Sequence, residues 1–128
     1  MAFVLFIFAS SAAALDPWTK TDTAFQAAVV ATQIADWSQT RYAARSWNWK
    51  AEGRGNGTHA YYKENNPLLG EHPSGDKVDS YFAVSIVGNA LVSAILPNPY
   101  RRIWQTISIV YEANVVRRNY QVGVRMRF

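Results

Sequence analysis

The sequence predicts a mainly α protein: a three-helix bundle with an aromatic Gly/Pro-containing loop and a short C-terminal strand. Two observations support this prediction. Large apolar residues recur at helical spacing in three stretches, and clusters of glycine and proline separate those stretches. The chain has 128 residues, of which 49% are hydrophobic, and this suits one packed domain.

Residues 1–14 have the pattern of a secretory signal peptide. An apolar run is followed by Ala12, Ala13 and Ala14, which offer a cleavage site of the A-x-A type. Because no Lys or Arg precedes the apolar run, either the true start lies upstream or the signal is atypical. A retained N-terminal anchor is the alternative to a cleaved signal. We predict export with cleavage near Ala14, which makes residues 15–128 a single helical domain.

Helix 1 is predicted at residues 17–45. Asp16 followed by Pro17 is typical of an N-cap and the first helical residue, and Thr23 with Gln26 fits a capping box one or two turns later. Between Pro17 and Arg45 there is no glycine and no further proline. The larger apolar residues recur at helical rather than alternating spacing: Phe25, Val29 or Val30, Ile34 and Trp37.

The aromatic loop is predicted at residues 46–74, where glycine and proline are concentrated. Trp47 and Trp49 precede the segment GRGNG, and Tyr61 and Tyr62 follow it. Two structures are open for this loop: a short hairpin turned by the glycines, and an irregular loop that packs its rings on the bundle. Since Trp and Tyr rings favour interfaces, these four residues are candidate contacts with a partner or a membrane.

Helix 2 is predicted at residues 75–96, with Ser74 or Asp76 as its N-cap and Pro97 as the residue that ends it. From Tyr81 to Leu96 it is apolar nearly all round, which predicts a helix buried in protein or in lipid. Three polar residues of this part are four apart and share one narrow face: Ser85, Asn89 and Ser93. We interpret it as the central packing helix, with Asn89 as a candidate buried polar residue and membrane insertion as the alternative.

Helix 3 is predicted at residues 98–118, because Asn98 and Pro99 repeat the pattern of a cap followed by proline. One apolar stripe runs along it: Ile103, Ile107, Val110 or Tyr111, and Val115. Glu112 is a lone acid among these apolar residues and a candidate buried polar residue. We expect it on the solvent face or paired with Arg41 or Arg45, and a functional carboxylate is the alternative.

Residues 120–128 alternate apolar and polar side chains, which predicts a strand with one apolar face. A terminal Phe on such a strand resembles the C-terminal targeting strand of bacterial outer-membrane proteins, over these residues alone. With NNPLLGEHPS before an apolar helix and EANVVRRNYQVGVRMRF at the end, the chain also resembles small exported proteins of proteobacteria and their phages. This second resemblance covers about the last 65 residues and implies a compartment, with no particular chemistry.

The sequence carries none of the motifs that mark common enzyme classes, such as G-x-S-x-G, H-E-x-x-H or a P-loop. His59 and His72 lie in the loop, but they lack the spacing of metal ligands or of an acid–base pair. Since the chain has no cysteine, disulfides and thiolate catalysis are excluded. We predict no catalytic residue, no metal site and no cofactor.

The net charge of +4 comes largely from arginines in the C-terminal third of the chain. Such a basic surface suits nucleic acid, anionic lipid or an acidic protein. No motif places the arginines in a nucleic-acid groove, so we predict no nucleic-acid partner. The candidate surface for a membrane or a membrane protein adds these residues to the loop aromatics: Arg101, Arg102, Trp104, Arg117, Arg118, Tyr120 and Phe128.

The sequence therefore predicts a non-enzymatic exported protein of the bacterial envelope, either periplasmic or associated with an envelope membrane. We expect it to bind a membrane or a membrane-protein partner through the hairpin of helices 2 and 3, and homo-oligomerisation stays open. One alternative is an integral membrane subunit with a lipid-embedded helical hairpin. The other is a small periplasmic enzyme that uses Glu112 or the loop with His59 and His72.

Overall fold

The computed structural model describes residues 15–51, residue 64 and residues 66–128, together with their side chains except those of residues 46–51. Three helices follow one another: α1 (Lys20–Ala51), α2 (Gly75–Ile95) and α3 (Tyr100–Gln121). They alternate in direction, and α1 packs against both α2 and α3. The prediction of a mainly α, three-helix bundle is confirmed.

The capping box of α1 lies at Thr19 and Asp22. The backbone N–H of Asp22 donates to Thr19 Oγ1 at 3.1 Å, and the backbone N–H of Thr19 donates to Asp22 Oδ2 at 2.9 Å. This reciprocal pair satisfies two N–H groups at the helix start. The helix therefore begins later than the predicted Pro17, and the predicted capping box at Thr23 and Gln26 is wrong.

α1 continues through residues 46–51, where the sequence predicted the loop to begin. This extension is reasonable because the first glycine after the helix start is Gly53. Trp47 and Trp49 thus lie on a helix, although their side chains are outside the described residues. His59, Tyr61, Tyr62 and the predicted signal peptide at residues 1–14 also lie outside them.

α2 begins and ends close to the local signals in the sequence. Ser74 is its N-cap, and the Ser74 side chain accepts a hydrogen bond from the backbone N–H of Lys77 at 3.2 Å. Leu96, directly before Pro97, is the C-cap. α3 begins at Tyr100 after Pro99, without a side-chain cap, whereas the backbone N–H of Asn98 donates to Asp16 Oδ2 at 2.7 Å.

The structure shows no strand at residues 120–128. Tyr120 belongs to the last turn of α3, Gly123 adopts a positive φ of 92°, and the remaining residues extend back along α1. A single long backbone hydrogen bond joins Arg127 N–H to Ser38 O at 3.5 Å. The alternating pattern is present in the sequence, but a strand needs a second strand to pair with, and the neighbour here is a helix.

Candidate functional site

The outer faces of α2 and α3 are apolar. We call these exposed large side chains along the two helices the apolar belt: Val84, Val87, Leu91, Ile95, Ile103, Ile107, Val110 and Tyr111. Between 44% and 72% of each of these side chains is exposed. The predicted apolar stripe of α3 therefore lies mostly on the outside of the bundle, as does half-exposed Ile34 of α1. A contiguous apolar surface of this kind marks a contact with another phase or partner.

Most of the buried side chains behind the apolar belt are polar, and fully buried Val29 lies among them. Among the described residues, eight polar or charged residues and seven hydrophobic ones are buried, whereas the interior of a water-soluble protein is mainly apolar. The buried polar residues are Asp22, Gln33, Ser38, Gln39, Thr40, Ser93, Arg101 and Gln105. Polarity in this part of the bundle therefore increases from the surface to the centre.

At one end of the bundle, which we call the Asp22 end, two arginines share one buried carboxylate. Arg101 Nη1 lies 3.2 Å from Asp22 Oδ2, and Arg102 Nη2 lies 2.7 Å from Asp22 Oδ1. Arg101 also donates to Ser93 O at 2.8 Å and to Asp16 O at 2.9 Å. These bonds join the starts of α1 and α3 to the end of α2, and they satisfy a guanidinium that is only 1% exposed.

A chain of side-chain hydrogen bonds continues from Asp22 into the middle of the bundle. Gln105 Nε2 donates to Asp22 O at 3.2 Å and to Gln26 Oε1 at 3.3 Å. Gln26 Nε2 donates to Asn89 Oδ1 at 3.3 Å, and Asn89 Nδ2 donates to Ser108 Oγ at 2.9 Å. The chain thus joins all three helices, and Asn89 is a partly buried polar residue with two partners.

Glu112 pairs with a carboxyl group. The carboxyl groups of Asp36 and Glu112 are within hydrogen-bonding reach of each other, and such a bond requires one of them to hold a proton. Arg41, the predicted partner of Glu112, instead pairs with Asp79 at 3.0 Å. Asp36 and Glu112 line a cavity of about 330 Å³, and Asn119 Nδ2 donates to Asp36 Oδ1 there at 3.2 Å.

The opposite end of the bundle has an ordinary apolar interior. We call it the cluster end, after its buried apolar cluster: Ala43, Ala44, Leu69, Val78, Phe82 and Val124. Trp37 packs against the cluster, stacked on Phe82 and edge-on to Phe128. The surface around this cluster carries exposed charges, among them Arg45 and Lys77. Here polarity decreases from the surface to the centre, as it does in water-soluble domains.

The predicted partner surface divides between the two ends of the bundle. At the Asp22 end, Arg101 is buried and Arg102 is bonded to Asp22, so neither is an open cation, while Trp104 is partly exposed. At the cluster end, four of the predicted residues are exposed: Arg117, Arg118, Tyr120 and Phe128. The structure therefore does not bring all these residues into one surface.

The sequence contains a pattern for the polar interior that the spacing of apolar residues does not reveal. Residues that face the interior from α1 repeat at intervals of four and three: Asp22, Gln26, Val29, Gln33, Asp36 and Thr40. Arg101, Gln105, Ser108 and Glu112 repeat in the same way on α3. A search for polar rather than apolar stripes at helical spacing finds both faces.

By length and composition, α2 is the one helix of the described part that could cross a membrane, and 17% of its apolar window is buried in the bundle. The described residues contain no group of three or more acidic or histidine side chains placed to hold a metal ion. Comparisons with protein-family models, curated proteins and solved structures found no match.

Proposed function

We propose that this protein is a non-enzymatic component of the bacterial envelope whose helical bundle is embedded in a membrane. In this proposal lipid covers the outer faces of α2 and α3 and also contacts α1. The observation that carries the proposal is the reversal of polarity: exposed Val87 and Leu91 lie outside, whereas buried Arg101 and Gln105 lie inside. In lipid, apolar surface needs no cover, and polar groups need partners within the protein.

The distribution of charge along the helices supports the same proposal. Residues 80–96 contain no charged residue, and the only charged residues within 23–40 and 103–116 are Asp36 and Glu112, which contact each other. At 1.5 Å per residue these stretches span roughly 21–27 Å, slightly less than the hydrocarbon core of about 30 Å. Local thinning of the bilayer and extended flanking side chains accommodate a mismatch of this size.

Aromatic side chains at both limits of these stretches give further support. Trp18, Tyr100 and Trp104 are exposed near the Asp22 end, and Tyr120 and Phe128 are exposed near the cluster end. Trp and Tyr rings concentrate at the two interfaces of a membrane, where the ring meets apolar chains and its polar atom meets headgroups. Both limits of the apolar belt therefore carry the residues expected at an interface.

Two other proposals rest on narrower observations. A membrane-protein partner or a second copy of the chain could cover the same apolar faces, but lipid accounts for exposure on all three helices at once. An enzymatic role has one supporting feature, the cavity beside Asp36 and Glu112. The two carboxyl groups contact each other there, and Glu64 and Ser85 also line the cavity, where Glu112 Oε2 has no hydrogen-bond partner. The described residues contain no group of three or more acidic or histidine side chains placed to hold a metal ion.

Fractionation of cells that express the full-length chain tests the proposal. We expect the protein to stay in the membrane pellet through a carbonate wash and to enter solution only with detergent. Val87→Lys, which places a charge in the middle of the exposed face of α2, should abolish stable insertion. A Lys at the centre of a membrane helix costs roughly 2.5–3.5 kcal/mol on the insertion scale.

Ser80→Lys is the matched control, because Ser80 is an exposed residue of the same helix at its charged end. We expect this variant to fractionate with the parent protein. In a water-soluble protein both changes affect exposed positions, and each should alter stability by less than about 0.5 kcal/mol. A parent protein that is soluble without detergent, or a Val87→Lys variant that behaves like the control, would contradict the proposal.

A further inference from the structure

The lysines and arginines of the described chain are unequally divided between the two ends of the bundle. At the Asp22 end they are Lys20, Arg101 and Arg102. Arg101 and Arg102 are both bonded to Asp22, and Arg101 is buried as well. Lys20 is therefore the one cation in this part of the described chain that is exposed and has no carboxylate partner.

The cluster end carries a basic surface. We use this name for four exposed arginines in the last turn of α3 and in the tail: Arg117, Arg118, Arg125 and Arg127. None of the four has a carboxylate partner among the described residues. Arg125 lies over the ring of Tyr120, 4.4 Å from its centroid. Exposed Arg45 and Lys77 lie at the same end.

Acidic residues at the cluster end do not cancel this asymmetry. Asp79 is paired with Arg41 at 3.0 Å. Glu64 lines the same cavity as Arg118, and Glu71 and Asp76 belong to the loop and the start of α2. The orientation of membrane proteins follows the number of Lys and Arg residues close to the ends of the helices, and acidic residues contribute little to it. The relevant comparison is therefore between Lys20 and the basic surface.

We propose that the basic surface lies on the anionic lipid headgroups of the cytoplasmic leaflet, so that the Asp22 end faces the opposite side of the membrane. This inference rests on the proposed membrane insertion and adds its direction and its lipid partner. Each Lys or Arg close to an anionic leaflet contributes favourably through the negative surface potential. Guanidinium groups also suit phosphate oxygens, since two N–H groups can bond one phosphate.

The position of residue 15 agrees with this direction. Asp16 bonds Arg101 through its backbone carbonyl, so the described chain begins at the Asp22 end. Export through the predicted signal peptide delivers residue 15 to the side away from the cytoplasm. The charge distribution and the predicted export signal thus assign the same side to the Asp22 end. The first depends on arginines of α3 and of the tail, and the second depends on residues 1–14.

The absence of native cysteine allows a direct measurement of direction with single-cysteine variants. Asn98→Cys reports on the Asp22 end and Gln121→Cys on the cluster end, and both residues are exposed. Spheroplasts that express the full chain are treated with a membrane-impermeant maleimide before and after lysis. We expect Asn98→Cys to react before lysis and Gln121→Cys to react only after lysis.

A second variant tests whether the basic surface sets this direction. All four of its arginines are replaced by glutamine in the Asn98→Cys background: Arg117→Gln, Arg118→Gln, Arg125→Gln and Arg127→Gln. We expect the fraction of Asn98→Cys that reacts before lysis to fall towards an even mixture of the two orientations. Lys20→Gln in the same background is the matched control and should leave the fraction unchanged.

The outcomes separate this inference from the proposed function. A protein that carbonate removes from the membrane contradicts the insertion itself. A carbonate-resistant protein in which Gln121→Cys reacts before lysis overturns the proposed direction and leaves insertion in place. If the four-arginine variant keeps the parent labelling pattern, the basic surface is not what orients the protein, and the inference fails on that point.

Discussion

Arg101 and Leu69 are both almost fully buried, with 1% and 2% of their surface exposed, but their surroundings are opposite. Arg101 lies among carbonyl groups and a carboxylate, behind an apolar outer surface. Leu69 lies among apolar side chains, at an end whose surface is charged. The hydrophobic effect requires water on the outside to favour an apolar interior. The difference is what we expect of one bundle that meets lipid along most of its length and water at the cluster end.

Removal of the charge of Asp22 should cause the largest loss of stability among the changes that test this difference between the two ends. Asp22→Asn keeps the shape of the side chain but leaves Arg101 and Arg102 without their carboxylate. Breaking a buried ion pair in this way typically costs about 3–5 kcal/mol, because an uncompensated charge stays buried. Unfolding of the purified protein in detergent micelles measures the loss of stability.

Asp79→Asn is the comparison for that experiment. The pair between Asp79 and Arg41 is about one-third exposed, at 34% and 32%, and exposed pairs contribute about 1 kcal/mol or less. The two variants should therefore differ in stability by at least about 2 kcal/mol. Equal losses would show that Asp22 is not the centre of a buried ionic cluster.

The adjacent residues Leu68 and Leu69 test the apolar interior of the cluster end. Leu69→Ala removes a side chain from the buried apolar cluster and should cost roughly 2–5 kcal/mol. Leu68 is 72% exposed, so Leu68→Ala should change stability by less than about 0.5 kcal/mol. The same unfolding measurement compares them, and similar values for the two variants would contradict a packed apolar interior at this end.

Of the three test variants, Asp22→Asn, Leu69→Ala and Asn89→Leu, the last is expected to have the smallest effect. The change removes the acceptor for Gln26 and the donor to Ser108, and it leaves both of those partners unsatisfied. The expected loss is about 1–2 kcal/mol, since hydrogen bonds between membrane helices contribute modestly. Ala90→Leu, at the next residue of α2, is a control for added volume. A gain in stability with Asn89→Leu would place residue 89 on the lipid side of α2.

Local signals in the sequence predicted the fold well. Ser74 and Pro97 bracket α2 because a cap and a helix breaker act within a few residues, whatever the rest of the chain does. Asp16 and Pro17 have the same local pattern, but their carbonyl groups accept bonds from Arg101 of α3. The start of α1 instead follows a second local signal, the capping box of Thr19 and Asp22, three residues further along the chain.

The candidate site was less predictable, because the sequence does not state which solvent surrounds a helix. An apolar stripe on α3 has the same sequence pattern whether it faces a protein core or lipid. The partner of Glu112 depended on the register between α1 and α3, which decides whether Arg41 or Asp36 lies opposite it. Likewise, the alternating residues 120–128 can form a strand only where a second strand lies beside them to pair with.

The bonds of Arg101 have a consequence for the biogenesis of the protein. Its guanidinium takes its partners from α1, from the residues just before α1 and from the end of α2. A newly made α3 that entered the bilayer without α1 would carry an unpaired arginine and the polar side chains of Gln105 and Asn119 into lipid, at considerable cost. If the bundle is inserted in a membrane as proposed, we expect α1, which is synthesised first, to wait at the translocation site and to enter the bilayer together with α3, so that the whole bundle is the cooperative unit of insertion.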